Sequence, residues 1–478
     1  LMSLPVAFFD TKLTGDILQR IEDNKRIEEF LTSASLSILF SFFNLFIFGI
    51  VLAIYNIKIL IIFISGSLLY ITWVSLFMKS RARIDHQRFK QMSEANSQLI
   101  TIINGMQEIK LTQSETSKRW DWENLQASLF SVKTKGLGIV QYQTAGATFI
   151  NEVTNILITI VAATAVLKGN MTLGMMLAVQ FIIGQLNVPV SQIIGFFRLS
   201  QDAKMSLDRL SEIHYMDEEE TDTEMKVRKL PEKKDIFINN VSYQYEGPHS
   251  PFALKDVDLY IEDRKKTAIV GVSGSGKTTL LKLLLGFYQP VNGEILIGDT
   301  KLSGLSLKIW REKTGAVMQD GFLFPESIAR NIAPGTEDID QEKLTKAVEV
   351  ANIKGFIESL PLGYNTKIGI NGHGLSEGQK QRLLIARIIY KDPDIIIFDE
   401  ATNSLDANNE KVIVENLSSC FEGKTVIIVA HRLSTVKNAD KIVVLDGGRV
   451  IETGNHNSLI EMRGAYYNLV KNQLELGN

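Results

Sequence analysis

Charged side chains are absent from residues 30–57, 59–78 and 169–197 of this chain, and residues 136–167 hold only Glu152. No other feature restricts the fold as strongly. Each window supplies the roughly 20 mostly apolar residues that a helix needs to cross about 30 Å of hydrocarbon, and a helix satisfies its own backbone N–H and C=O groups where no water is present. Gly, Ser, Thr and Asn within the windows suit close helix packing. Four membrane helices are expected, over about 33–56, 58–79, 145–168 and 172–198. The first and third are followed by the short turns Tyr55-Asn56-Ile57-Lys58 and Lys168-Gly169-Asn170-Met171, whereas the second is followed by Lys79, Arg81, Arg83, Arg88 and Lys90. Positive charge collects on the cytoplasmic side, which places that long connection and both ends of the chain inside.

The remainder of residues 1–215 reads as cytoplasmic extension of these helices. Residues 79–129 are polar with helical periodicity and contain only Gly105 and no proline, and residues 1–26 carry neither the apolar core of a cleavable signal nor a targeting motif. A charged connector, 216–235, separates this half from residues 236–478. The net charge of −3 is not the basic excess of a nucleic-acid binder, so no nucleic-acid partner is expected. The single cysteine, Cys420, rules out a disulfide framework or a cysteine-based metal cluster within one chain and reads as an inert thiol late in a helix.

Beyond Asp235 short β-rich runs (236–245, 266–270, 293–297, 315–318, 395–398, 426–429 and 441–445) alternate with helical segments (277–287, 341–351, 377–390 and 408–421). That alternation implies an α/β domain with a parallel sheet covered on both faces, and such sheets bind ligands at the carboxyl ends of their strands. One strand end carries Gly271-Val272-Ser273-Gly274-Ser275-Gly276-Lys277-Thr278-Thr279. The glycines let backbone N–H groups converge on phosphate oxygens, Lys277 supplies a point charge to the outer phosphates, and the Thr278 hydroxyl can ligate Mg²⁺. A second apolar strand ends in Asp399-Glu400. Asp399 is expected to hold Mg²⁺ through its water shell and Glu400 to act as general base on the attacking water. His431, after a third apolar strand, is placed to hydrogen-bond the γ-phosphate.

These residues resemble the ATP-binding cassette (ABC) family. Leu375-Ser376-Glu377-Gly378-Gln379 is similar to that family's signature, and Ser404-Leu405-Asp406 to its D-loop. The resemblance covers nearly all of residues 236–478. It implies that ATP and Mg²⁺ are the cofactors, that Tyr245 stacks on adenine, that Gln319 senses Mg²⁺ beside Thr278 and Asp399, and that the signature completes the site of the opposite subunit in a homodimer. Two positions depart from the family pattern: Glu377 replaces the first of two usual glycines, and Ile370 stands where exporters usually carry Glu shortly before the signature.

The membrane half resembles the exporter branch. Leu4-Pro5-Val6-Ala7-Phe8-Phe9-Asp10 and Thr14-Gly15-Asp16-Ile17-Leu18-Gln19-Arg20 are similar to the first cytoplasmic loop of such exporters, which follows their second membrane helix. On that reading the first two of six helices and any peptidase domain would lie upstream, and the sequence is expected to be a fragment. The subfamily it resembles most is the bacterial peptide exporters that carry an N-terminal cysteine peptidase and export bacteriocin-like peptides. Within the spans, Thr144, Thr148, Glu152, Asn155 and Thr159 form one polar stripe, and Gln180, Gly184, Asn187 and Ser191 a second. Glu152, Asn155 and Asn187 are candidates for the substrate pathway, since intramembrane polar groups mark functional sites. The expected fold is an α-helical transmembrane domain of exporter type, four helices being present, followed by an α/β P-loop NTPase cassette with a helical subdomain. The expected function is ATP-driven export, of a peptide in the first place, across the bacterial cytoplasmic membrane, with the cassette in the cytoplasm. A lipid or drug exporter, or a regulatory membrane protein that binds ATP without transport, is the alternative.

Overall fold

The computed structural model describes the chain apart from residues 1, 13, 217, 221–225, 248, 370–371, 401–406, 431–435 and 477–478, and apart from the side chains of 212–213, 407–411 and 472–476. Its residues fall into two compact units, Leu1–Glu218 and Glu219–Asn478.

The first unit is helical. A short α1 (Val6–Thr11) precedes α2 (Thr14–Glu29), which passes through a π-helical turn at Phe30–Ala34 into α3 (Ser35–Tyr55). The Asn56 side chain caps α4 (Ile57–Leu76) by accepting the Lys58 N–H at 2.9 Å, and α4 runs on into α5 (Met78–Asn104). After the short α6 (Met106–Leu111) come two long helices, α7 (Glu115–Leu167) and α8 (Leu173–His214). Among the described residues four helical runs are long and apolar enough to cross a membrane: Thr14–Tyr55, Ile57–Asn104, Glu115–Leu167 and Leu173–Ser211. The 53 residues of α7 span about 80 Å at 1.5 Å per residue, more than twice the hydrocarbon thickness, so much of it stands outside the bilayer.

Sequence patterning decides which faces pack. Leu39, Phe40, Phe43, Phe46 and Ile47 of α3 point outward, an apolar surface that lipid accepts and water does not. Leu52, Ile59, Phe63, Ile158, Ala162, Val179, Ile182 and Leu186 close the interior. Two glycines permit the closest approaches: a Cβ at Gly66 would lie 2.3 Å from the Thr154 hydroxyl oxygen, and one at Gly146 2.4 Å from the Trp73 ring. The Trp73 indole N–H donates to the Gln143 carbonyl at 3.1 Å, and the Gln143 amide donates to that of Val74 at 3.3 Å.

At the polar ends of α2, α5 and α8 the packing is ionic. Asp23 is wholly buried and accepts from Arg209 Nε (2.7 Å), Arg209 Nη2 (2.8 Å) and the Ser206 hydroxyl (2.9 Å). Asp85 joins Arg26 (3.2 Å) to Arg209 (3.6 Å), and the Arg209 guanidinium lies 4.6 Å from the centre of the Phe89 ring. Buried charges persist only when paired and hydrogen-bonded in this way.

The second unit is α/β. Its strands are β1 (Ile236–Tyr243), β2 (Leu254–Ile261), β3 (Lys266–Val270), β4 (Asn292–Ile297), β5 (Thr300–Lys301), β6 (Thr314–Val317), β7 (Ile395–Asp399), β8 (Thr425–Val429), β9 (Lys441–Asp446) and β10 (Arg449–Gly454). Four form an antiparallel sheet in the order β2-β1-β4-β5, and six form a second sheet in the order β10-β9-β3-β8-β7-β6. The second is parallel except for β10, with Ala268 of β3 in register with Ile428 on one side and Ile442 on the other. Burial on both faces explains why its strands read as unbroken apolar runs. The helices are α9 (Lys277–Leu284), α10 (Leu307–Lys313), α11 (Ile328–Ile332), α12 (Gln341–Val350), α13 (Lys354–Ser359), α14 (Glu377–Lys391), α15 (Ala407–Cys420), α16 (His456–Met462) and α17 (Ala465–Leu476). Ile328, Ile332, Leu344, Val348, Leu383 and Ile385 gather α11, α12 and α14 into a helical subdomain.

The charged connector packs against this unit at its described positions. Glu219 accepts from two Arg311 nitrogens at 2.6 and 2.7 Å, Glu220 accepts the Lys308 N–H at 3.2 Å, and Val227 bridges Leu305.

Candidate active site

Strand order alone collects the chemistry. β3, β8, β7 and β6 are neighbours, so their carboxyl ends share one edge, and the phosphate loop, Asp399-Glu400 and Gln319 follow β3, β7 and β6 on that edge. His431, after β8, lies outside the described residues, as do Ser404, Leu405, Asp406 and Ile370.

The loop between Val270 and Lys277 is closely confined. A Cβ at Gly271 would sit 2.1 Å from the Leu445 carbonyl oxygen, and one at Gly276 2.7 Å from that of Ala253. Gly276 also has φ +100°, a left-handed conformation that glycine adopts without strain. The loop therefore passes between the end of β9 and the residues before β2, with Ser275 donating to the Val272 carbonyl at 3.2 Å. Lys277 opens α9 with its ammonium folded back, donating to the carbonyls of Gly271 (3.0 Å) and Val272 (2.9 Å). Burial holds its pKa below the ordinary lysine value, partly offset by the charges of Glu400 and Asp399.

Asp399 completes a strand whose five residues are all buried. Its side chain has no exposure, and neither carboxylate oxygen has a hydrogen-bond partner. Burial raises its pKa above the ordinary carboxylate value, with the Thr278 hydroxyl and Lys277 pulling it down and the charges of Glu400 and Asp320 pushing it up. The Asp399 carboxylate and the Thr278 hydroxyl are oxygen ligands of the kind a hard cation takes, and the Lys277 ammonium suits the anion that comes with it, so these residues fit Mg²⁺ bound with a polyphosphate. Glu400 follows with its backbone at φ +54°, held by donation to the Val429 carbonyl at 3.0 Å. Such a conformation in a non-glycine residue is costly and gathers at functional sites. Gln319 is exposed in the turn after β6, followed by the exposed rings of Phe322 and Phe324 in edge-to-face contact at 5.3 Å.

Tyr245 lies just past β1, about half exposed, with its hydroxyl 3.0 Å from that of Thr279. Leu375 and the signature residues sit at the start of α14. Ser376 caps the helix by accepting the Gln379 N–H (3.2 Å), while Gln379 accepts the Ser376 N–H (2.8 Å). Glu377 extends outward and pairs with Lys380 at 3.3 Å, and the Gly378 carbonyl accepts from Arg382 at 3.3 Å.

The membrane candidates separate. Asn187 lines a cavity of about 80 Å³ with Ser67, Tyr70, Asn151, Thr154 and Ser191. Asn155 has a buried carbonyl oxygen with no hydrogen-bond partner, and Glu152 is exposed on α7. Sequence reading did not single out Asp320, whose charge acts on Asp399, or Tyr288, whose ring packs on Tyr245. The only signal for either was proximity to a motif: Asp320 follows Gln319, and Tyr288 comes four residues after α9.

Residues 1–190 match the family described as ABC transporter transmembrane region, and residues 254–403 match ABC transporter. The chain is 34% identical to the toxin RTX-I translocation ATP-binding protein of Actinobacillus pleuropneumoniae, over 99% of this chain and 67% of that protein. It is 33% identical to the leukotoxin translocation ATP-binding protein LktB of Mannheimia haemolytica, over 100% and 67%. Its fold superposes on a bacterial Atm1-family ABC exporter with ATP bound, at a TM-score of 0.92 and 25% identity, covering 99% of this chain and 82% of that one. Helices fit to cross a membrane, a phosphate loop beside an acidic strand end and these matches converge: the chain belongs to the ABC transporter family, as an exporter that hydrolyses ATP to drive transport across a membrane.

Proposed function

We propose that two copies of this chain form a homodimeric exporter of a peptide or protein in the bacterial cytoplasmic membrane, with residues 236–478 as the cytoplasmic nucleotide-binding domain and residues 1–215 as the membrane domain. Gly271, Ser273, Gly274, Ser275, Gly276, Lys277, Thr278 and Thr279 cradle the phosphates of ATP, and Tyr245 carries the adenine. Thr278, Gln319 and Asp399 would hold Mg²⁺, which when bound offsets phosphate charge. Glu400 takes the proton of the attacking water, and His431 hydrogen-bonds the γ-phosphate. Leu375, Ser376, Glu377, Gly378 and Gln379, with Ser404, Leu405 and Asp406, complete the site of the second copy, and Glu152, Asn155 and Asn187 are the candidates for the path of the exported chain.

The observation that carries the nucleotide site is Asp399, wholly buried with both oxygens unpartnered beside Lys277 and Thr278. A carboxylate so placed gains from a bound cation that offsets its charge. The substrate class rests on relatives named for toxin translocation. The test reconstitutes the full chain in liposomes and measures ATP turnover and peptide uptake. Glu400→Gln should bind ATP yet hydrolyse it more slowly by about 10²-fold or more, the scale of a lost general base, and uptake should fall with it. Turnover at the parent rate in that variant would refute the assignment of the base, and ATP-dependent uptake of lipid or drug in place of peptide would refute the substrate class.

A further inference from the structure

The ring of Tyr245 is held from three directions. Its hydroxyl shares a 3.0 Å hydrogen bond with that of Thr279, in the first turn of α9. Its ring meets Tyr243 edge-to-face at 5.0 Å and 85°, and Tyr288 at 5.5 Å and 84°. Tyr243 and Tyr288 also contact each other at 5.3 Å, and the Lys282 ammonium lies 5.6 Å from the centre of the Tyr288 ring. Tyr243 and Tyr288 are 7% and 8% exposed, whereas Tyr245 is 45% exposed. Two buried rings therefore support a third whose remaining surface is open. Edge-to-face pairs of this separation are the favoured aromatic geometry.

We infer that Tyr288 is a positioning residue for nucleotide binding: with Thr279 and Tyr243 it fixes the Tyr245 ring in its stacking orientation before ATP arrives. This rests on the reading of Tyr245 as the adenine-stacking ring. An exposed tyrosine just past a strand would otherwise lose rotamer freedom on binding, and immobilising a side chain costs affinity that pre-organisation saves. The hydroxyl tether also links that ring to the helix that begins at the phosphate loop, so base and phosphates meet one preset surface. Tyr288 borders a cavity of about 230 Å³ lined by Gly286, Pro290 and Gly293, so truncating its ring enlarges an existing space and leaves the sheet core in place.

The experiment measures ATP hydrolysis by the full chain in liposomes, with KM and kcat taken separately. Tyr288→Leu should raise KM for ATP about 3- to 10-fold, the saving expected from one pre-ordered side chain, with kcat within twofold, and Tyr288→Phe should restore the parent KM. In a Tyr245→Ala background, Tyr288→Leu should add nothing. Tyr245→Phe and Thr279→Val should each raise KM, and the pair together should raise it no further than the larger single effect. An unchanged KM in Tyr245→Ala would overturn the stacking reading itself. A raised KM in Tyr245→Ala with an unchanged KM in Tyr288→Leu, or a loss of kcat equal to the rise in KM in Tyr288→Leu, would overturn the positioning role alone.

Discussion

Asp399→Asn is expected to make the second unit more stable and unable to use ATP. The parent carboxylate is fully buried and short of hydrogen-bond partners, so the unliganded fold bears the cost of a charge that Lys277 and the Thr278 hydroxyl compensate only in part. Replacing the charge by an amide of the same shape removes the charge and keeps a polar group in place, so it should return at most about 1–3 kcal/mol, the usual cost of an unsatisfied buried polar group. At about 2–4 °C per kcal/mol for a unit of this size, the cassette transition should rise by up to roughly 12 °C. Calorimetry of the full chain in lipid nanodiscs, without nucleotide, reads this directly.

The sign with pH follows from the raised pKa of Asp399. A folded carboxyl that holds its proton more tightly than the unfolded one contributes most below the unfolded value of 3.8, and that contribution is lost as pH rises through the folded value. The gap between variant and parent should therefore close on acidification and widen as pH rises through the folded value. Magnesium and ATP together should raise the transition of the parent, by the mass action of a ligand that binds only the folded state, and leave the variant where it was. A variant that melts at or below the unliganded parent at neutral pH would refute the account of Asp399 as a charge held ready for a ligand.

Two further outcomes are expected. Arg209→Met leaves Asp23 wholly buried, with the Ser206 hydroxyl bond and the longer Arg26 contact at 3.9 Å, and should weaken the packing of α2 on α8 by about 3–5 kcal/mol; hydrogen exchange along both helices would show it, and Asp23→Leu combined with Arg209→Met should recover most of the protection. The second unit produced from Glu219, which keeps the Glu219–Arg311 ion pair, and carrying Glu400→Gln should double its mass by light scattering when ATP is added, whereas constant mass at high protein concentration would count against a site shared between two copies.

What is legible in the sequence follows from how local each constraint is. Lipid admits few backbone solutions, so the windows without charge announced helices: α3 lies within the first, and α4 runs through the second after Lys58 in its first turn. The phosphate loop and Asp399-Glu400 were legible because each is a few consecutive residues after an apolar strand. Asp23 and Arg209 are 186 positions apart, and nothing in either neighbourhood names the other. Tyr288 was hidden for a related reason, since its role depends on how the chain turns after α9 to bring one ring beside another from the far side of the phosphate loop. The polar stripe through Glu152 shows a different limit. Periodicity places Thr148, Glu152 and Asn155 on one side of a helix but does not say which way that side faces. Glu152 is exposed while Asn155 carries a buried oxygen.

Glu377 shows how a departure from a family pattern can be absorbed. By composition alone, a carboxylate in the signature adds negative charge where phosphate is expected. In the fold it occupies the first turn of α14, where the helix dipole favours an anion, and Lys380 lies 3.3 Å away on the next turn. The pair is more than half exposed on the glutamate side, so it adds little to stability, yet it draws the carboxylate toward a counter-ion on its own helix. Ser376 keeps its capping bond to Gln379, and Gln379 still accepts the Ser376 N–H. The substitution therefore bears on the electrostatics at the helix start and leaves its geometry intact.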